Sequence, residues 1–272
     1  MKKISTPVSI LLIVWAVLAI VFAFTDWQIS QTLYNPEAGW SHFLEAYGQL
    51  PGSFLGILSG SILLRTYKTQ KNTKSILGVI GLTLLTVLAT FSFSADAFGA
   101  QADTSQINIL PIIGLSLAIL IISQLILHRF SFEAVSQYKT AARVGLSLLI
   151  IAGFATVWLF KIPWGRWTYR DILAAGNNAL FTPWYLPQGI NGHHSFFSGH
   201  TSLSFTVIGY INFVKKNTVT RKILLGILLL WGIVGGLSRI VIGAHFASDV
   251  LFGAGQTLLW FLLLSKWHKV NI

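Results

Sequence analysis

The chain has 272 residues, of which 54% are hydrophobic and 10% are charged, and it contains no cysteine. Soluble domains carry about 25% charged residues, so a chain this apolar is expected to fold in lipid instead of water. The lack of cysteine excludes disulfides, thiolate chemistry and Cys-ligated zinc or iron–sulfur sites. The net charge of +11 is compatible with nucleic-acid binding, but its distribution along the chain favours membrane topology, and no nucleic-acid partner is expected.

The chain begins with Met1-Lys2-Lys3 and an apolar run from Pro7 to Phe24, a pattern that resembles a signal peptide. No small-x-small cleavage site follows this run, and further apolar runs do follow it. A retained first membrane span is therefore predicted, with a cleaved signal peptide as the alternative.

Apolar runs recur along the chain with polar breaks between them. Backbone polar groups must be hydrogen-bonded within lipid, and no alternating barrel pattern is present, so each run predicts a helix. Within the second run, the small-xxx-small spacing of Gly56 and Gly60 predicts close packing of two helices. The eight spans are predicted near 8–24, 50–66, 75–97, 108–128, 143–160, 199–214, 222–242 and 246–265, and the second and sixth are short or polar.

Lysine and arginine are distributed unevenly between the two sides of these spans. With the N-terminus inside, only four of the 19 basic residues fall outside, namely Lys161, Arg166, Arg170 and Arg239. This bias is the positive-inside pattern, and it predicts eight spans with both termini in the cytoplasm. The remaining 15 fall inside, at Lys2, Lys3, Arg65, Lys68, Lys71, Lys74, Arg129, Lys139, Arg143, Lys215, Lys216, Arg221, Lys222, Lys266 and Lys269.

Three polar segments fall on the outer side of this topology. They run over 161–171, 191–201 and 238–249, and together they hold cations, hydroxyls, imidazoles and a carboxylate. This mixture suits an anion such as phosphate, which arginine binds through its planar fork and lysine as a point charge. Ser198-Gly199-His200 is predicted to open the sixth helix, where free backbone N–H groups and the helix dipole favour an anion.

His245 and Asp249 are four residues apart, a spacing that places two side chains on one face of a helix. A carboxylate that accepts from one ring nitrogen fixes the tautomer and leaves the other nitrogen free to attack. His200 is then available to donate a proton to the leaving oxygen. The alternative for these residues is an ion pair that fastens two helices together, which the convergence of three motifs disfavours.

The same segments carry a resemblance to a known family. Ser198-Gly199-His200 and Ser238-Arg239-x5-His245-x3-Asp249 resemble the second and third motifs of the type 2 phosphatidic acid phosphatase superfamily. The segment that begins at Lys161 resembles the first motif of that superfamily. The resemblance covers roughly 75–265, and its third motif is the most specific.

The resemblance implies a role for each motif residue. His245 is expected to attack phosphorus and form a phosphohistidine, Asp249 to orient it, and His200 to protonate the leaving group. No metal and no cofactor are implied. The residues expected to hold the phosphoryl oxygens are Lys161, Ser198, Gly199 and Arg239.

The sequence departs from the family pattern at two positions. Phe197 stands where the family usually has proline before Ser-Gly-His, and Thr168 stands where the first motif expects arginine. Arg166 and Arg170 flank Thr168, so each is predicted as a phosphate ligand in its place. Asp171 is expected to pair with one of these two arginines and hold the loop.

These patterns predict an all-α fold, a multi-pass transmembrane helical bundle of about eight spans with a six-helix phosphatase core. Two additional N-terminal helices are predicted over 1–74, the core over 75–265, and a short basic cytoplasmic tail over 266–272. The predicted activity is metal-independent hydrolysis of a lipid phosphomonoester or diphosphate at the extracytoplasmic face. The family suggests undecaprenyl diphosphate, phosphatidylglycerol phosphate and phosphatidic acid as candidate lipids.

Other functions remain open at this point. The same site can transfer a phosphoryl group between lipids, because the acceptor is not visible in the sequence. A transporter or binding protein for an anionic head group uses the cations without chemistry, although clustering of charges at one face favours an enzyme. An inactive relative is the third alternative, suggested by Thr168. A vanadate-dependent haloperoxidase with this site would be soluble, which the predicted spans disfavour.

Overall fold

A computed structural model describes residues 6–68, 72–98 and 109–270, and every regular element within these ranges is a helix. A π-helical segment, Leu149–Ala155, joins α7 to α8, and short 3-10 segments occupy Asn178–Leu180 and Val207–Phe213. The α-helices of the described ranges are α1 (Thr6–Leu33), α2 (Gly39–Tyr47), α3 (Leu50–Arg65), α4 (Thr73–Ala97), α5 (Ile109–His128), α6 (Phe132–Ser136), α7 (Lys139–Leu148), α8 (Thr156–Trp164), α9 (Tyr169–Ala175), α10 (Gly199–Thr206), α11 (Val219–Val241) and α12 (Ala247–Trp267).

The all-α prediction is confirmed, and helices occupy all eight predicted span positions. Two of these helices are short: α3 has 16 residues, and α10 continues only through a 3-10 segment to Phe213. The count of eight crossing segments therefore stays a prediction. Lys2, Lys3 and Lys71 of the predicted inner set lie outside the described residues. Within the described residues, six segments are long and apolar enough to cross a membrane: Leu12–Leu33, Thr73–Ala97, Ile109–His128, Lys139–Ala175, Val219–Val241 and Ala247–Trp267.

Helices α3 and α10 lie inside the bundle, and the longer helices carry its apolar outer surface. In α4, Leu84 and Leu88 are exposed, as expected for side chains that face lipid. In α3, a Cβ added at Gly56 would overlap Leu149, and one added at Gly60 would overlap Thr86 of α4. The prediction that these two glycines allow close helix packing is thus confirmed.

The first helix is longer than its apolar run predicts and packs on the last one. It continues to Leu33, so Asp26 lies within the helix and is buried. Trp15 donates its indole N–H to the carbonyl of Leu251 in α12 at 3.1 Å and fits over Gly255. The division of the chain at residue 74 stays a prediction, and α1 and α12 are in direct contact across it.

Helix α2 lies between α1 and α3 in the chain, and Gly48, the residue that caps its C-terminus, is hydrogen-bonded to the bundle. The carbonyl of Gly48 accepts from the indole N–H of Trp231 at 3.1 Å and from the hydroxyl of Ser204 at 3.4 Å. These bonds anchor α2 against α11 and α10, so the residues of α2 border the same end of the bundle as the polar motifs.

Candidate active site

The three motifs meet at one end of the bundle, because each lies where a helix begins or ends. Lys161 lies in the last turn of α8 and Arg239 in the last turn of α11. Ser198 is the N-cap of α10, and Asp249 lies in the first turn of α12. A cavity of about 170 Å³ opens here, lined by Gln49, Gly153, Phe154, Val157, Trp158, Lys161, Gly199, His200 and Leu203.

The start of α10 offers unpaired donors to this cavity, as the sequence predicts for an anion site. The Ser198 hydroxyl accepts from the N–H of Thr201 at 3.2 Å and from its hydroxyl at 2.9 Å, which leaves its own proton available. The N–H groups of Gly199 and His200 have no acceptor among the described residues. A Cβ at Gly199 would lie 3.9 Å from Nζ of Lys161, so the lysine ammonium lies beside these N–H groups.

His245 and Asp249 are neighbours, although they do not share a helix as their spacing suggests. Helix α12 begins at Ala247, so His245 precedes it. Asp249 Oδ2 accepts from the N–H of Phe246, the N-cap of α12, at 2.9 Å. The same oxygen lies 3.7 Å from Nδ1 of His245. Ser195 completes the group: its hydroxyl donates to Asp249 Oδ2 at 2.6 Å and lies 3.5 Å from the same Nδ1.

This arrangement keeps His245 in the form a nucleophile needs. Burial lowers the pKa of His245 to about 4, with the positive charges of Lys161 and Arg239 acting in the same direction and Asp249 opposing them. The imidazole is therefore neutral at neutral pH. Because Nδ1 faces Asp249, Nε2 is the nitrogen left to react.

Arg239 presents buried donors without protein partners. Its Nη2 donates to Glu45 at 3.0 Å, whereas Nε and Nη1 are buried and make no hydrogen bond within the described part of the chain. Nε2 of His200 is buried and unpartnered in the same way. Leaving such groups unpaired costs free energy, and an anion would satisfy them. The carbonyl of Arg239 also accepts from the N–H of His245 at 3.1 Å, which ties these two motif residues together.

Arg166 is held by protein partners, and its predicted role as a phosphate ligand stays a prediction. Its guanidinium is 1% exposed and bridges two buried carboxylates, through Nη1 to Asp249 at 2.5 Å and through Nη2 to Asp26 at 2.9 Å. Nη1 also donates to Ser248 at 2.8 Å, and Nε donates to the carbonyl of Thr182 at 2.9 Å. Arg166 thus holds the Asp249 carboxylate in place and is not among the residues that line the cavity.

Arg170 lies at the rim of the site. Its side chain is 46% exposed and donates to Glu45 at 3.3 Å, and its backbone N–H donates to the carbonyl of Gly243 at 2.9 Å. Asp171 pairs with neither arginine; its N–H is bonded to the hydroxyl of Thr168, the N-cap of α9. The role of Arg170 as a phosphate ligand in place of residue 168 also stays a prediction.

The structure adds residues that sequence reasoning missed. Asp26 accepts from both the N–H and the hydroxyl of Ser248 as well as from Arg166. Its signal was present, because it is the sole acidic residue of the first apolar helix and intramembrane carboxylates are usually functional. Ser195 and Glu45 carried no comparable signal, since each is a polar residue in a polar segment.

The fold indicates a membrane protein, and at one end of its bundle buried polar side chains meet a neutral histidine. Residues 141–272 match the model of the PAP2 superfamily. This match covers just under half of the chain and supports the type 2 phosphatidic acid phosphatase superfamily that the motifs predict. Members of this superfamily are phosphatases. No curated protein and no solved structure matches the chain.

Proposed function

We propose that this membrane phosphatase hydrolyses the phosphate ester of a lipid through a phosphohistidine on His245. One observation carries the proposal: within the described part of the chain, Nε and Nη1 of Arg239 and Nε2 of His200 are buried without hydrogen-bond partners. They lie near His245, a neutral histidine whose Nδ1 faces Asp249. A site that only fastened helices together would pair these donors within the protein.

The proposed reaction proceeds in two displacements. Nε2 of His245 attacks phosphorus, the bond from phosphorus to the lipid oxygen breaks, and His200 gives that oxygen a proton. Water then attacks phosphorus, the bond from phosphorus to Nε2 of His245 breaks, His200 takes a proton from the water, and inorganic phosphate leaves. The phosphoryl oxygens are held through both steps by Lys161, Arg239, the Ser198 hydroxyl and the Gly199 N–H.

A lipid substrate is supported by the walls of the cavity. Polar groups of Lys161 and His200 share it with the apolar side chains of Phe154, Val157 and Leu203. A π-helical segment forms part of the wall through Gly153, and such segments often occur at functional sites. We expect the phosphate head group to contact the polar side chains and the aliphatic chain to contact the apolar ones. The positive-inside pattern supports an extracytoplasmic site.

The test is phosphate release by the detergent-purified protein from a panel of lipid monophosphates and diphosphates in excess EDTA. We expect release that tolerates EDTA, because the residues proposed for each step act without a metal. If the phosphoryl group instead appears on a second lipid and no free phosphate is released, phosphoryl transfer between lipids would be favoured. Head-group binding without release of phosphate would favour a binding protein and contradict the proposal.

The pH dependence of kcat/KM should show no enzyme ionisation on the acid side between about pH 5 and pH 8. Because burial holds the pKa of His245 near 4, the nucleophile is lost only when the pH falls through that value. The substrate phosphate itself titrates near pH 6. Its titration curve is therefore measured by 31P NMR, and the kcat/KM profile is corrected for it. A remaining acid limb centred near 6.5, the ordinary histidine value, would contradict a buried nucleophile.

A further inference from the structure

Glu45 brings a carboxylate to the site from outside the matched half of the chain. Its Oε1 accepts from Arg239 Nη2 at 3.0 Å and from Arg170 Nη1 at 3.3 Å, and the side chain is 14% exposed. Its other oxygen lies 3.4 Å from Nδ1 of His42 in the same helix. The backbone of Glu45 also lies close to the ring of His200. Glu45 thus lies next to both Arg239, which is proposed to hold the phosphate, and His200, the proposed proton donor.

The carboxylate stays charged and stays in place. Burial by itself would raise the pKa of Glu45, but Arg239 and Arg170 together bring it below the ordinary value for glutamate, so the group is anionic at neutral pH. Helix α2 is fixed at its end by the two hydrogen bonds to the Gly48 carbonyl. A negative charge is therefore a permanent part of this wall.

The position of this charge matters for the group that leaves. In a phosphomonoester, the broken bond joins phosphorus to the lipid oxygen, and a proton from His200 turns the leaving group into a neutral alcohol. In a diphosphate, the broken bond joins phosphorus to the bridging oxygen, and the leaving group is a lipid phosphate that remains an anion. That anion would form beside Glu45, and like charges at close range oppose each other.

We propose that Glu45 is a specificity-determining residue that selects lipid phosphomonoesters over lipid diphosphates. The inference rests on the proposed function and narrows its substrate class. Arg239 Nη2, which would otherwise be free to hold a second phosphate, is occupied by the glutamate. Arg170 contacts the same carboxylate oxygen and is engaged in the same way.

The test compares kcat/KM for the monophosphate and the diphosphate of one isoprenoid alcohol in the wild-type protein and in Glu45→Gln. Glutamine keeps an oxygen that accepts from Arg239 and removes the charge. We expect the wild-type protein to prefer the monophosphate, and the variant to shift the ratio toward the diphosphate about tenfold. The ratio is taken within each preparation, so it does not depend on the fraction of protein that folds. Glu37→Gln, an exposed site in the same segment, should leave the ratio unchanged.

The possible outcomes distinguish failure of the role of Glu45 from failure of the proposed phosphatase function. Preference of the wild-type protein for the diphosphate, or an unchanged ratio in Glu45→Gln, would overturn the role of Glu45 and leave the phosphatase intact. Equal shifts in Glu45→Gln and Glu37→Gln would also overturn it, since the effect would then be long-range. No release from either lipid by the wild-type protein would overturn the proposed function and this inference with it.

Discussion

Replacing His245 with alanine is expected to reduce phosphate release about 10⁴-fold or more, because removal of a covalent nucleophile leaves only the contribution of substrate binding. The side chain is nearly buried at the junction of α11 and α12, and no other imidazole has its Nδ1 beside Asp249 among the described residues. Substrate affinity should change little, because the donors of Lys161, Arg239 and Gly199 remain. The measurement is single-turnover phosphate release in excess EDTA.

The intermediate provides a second measurement. Rapid quenching with labelled lipid should trap an acid-labile, alkali-stable phosphoprotein in the wild-type chain and none in His245→Ala. His128→Ala is the matched control, because His128 is exposed at the end of α5 and makes no contact with the site. Label retained in His245→Ala would show that a different residue is the nucleophile.

The motifs could be placed from the sequence because their chemistry is local. Gly199 and Ser198 mark a helix start, since serine caps N-termini and glycine leaves room for an anion, and α10 begins there. The spacing of His245 and Asp249 predicted that their side chains lie close together, and they do. The capping bond from Phe246 N–H to Asp249, which brings His245 and Asp249 together ahead of the helix, could not be read from their spacing.

The partners of the arginines could not be predicted, because they come from distant parts of the chain. Sequence proximity suggested Asp171 for Arg166, whereas the structure supplies Asp26, which is 140 residues away. Glu45 reaches Arg239 from a separation of 194 residues. Pairing over such distances depends on how α1 and α2 pack on the bundle, and no local pattern encodes that packing.

Replacing Arg166 with alanine is expected to lower the free energy of unfolding by about 3–5 kcal/mol and to reduce kcat strongly. Without the guanidinium, Asp26 and Asp249 are two buried carboxylates that repel each other without the cation that bridges them. Asp249 then loses the bond that holds its orientation toward His245. Thermal unfolding in detergent gives the stability change, and steady-state kinetics separate kcat from KM.

The two roles considered for Arg166 predict different results in these assays. A phosphate ligand would raise KM and leave stability near that of the wild-type protein, and that outcome would refute the structural position. Arg170→Ala is the comparison, because its half-exposed side chain contacts Glu45 and should change stability by less than about 1 kcal/mol. Adding Asp26→Asn to Arg166→Ala should restore part of the lost stability, because it removes one of the two uncompensated carboxylates. Such a rescue would show that the charge of Asp26 in α1, which lies outside the matched segment, is compensated by the same guanidinium that holds Asp249.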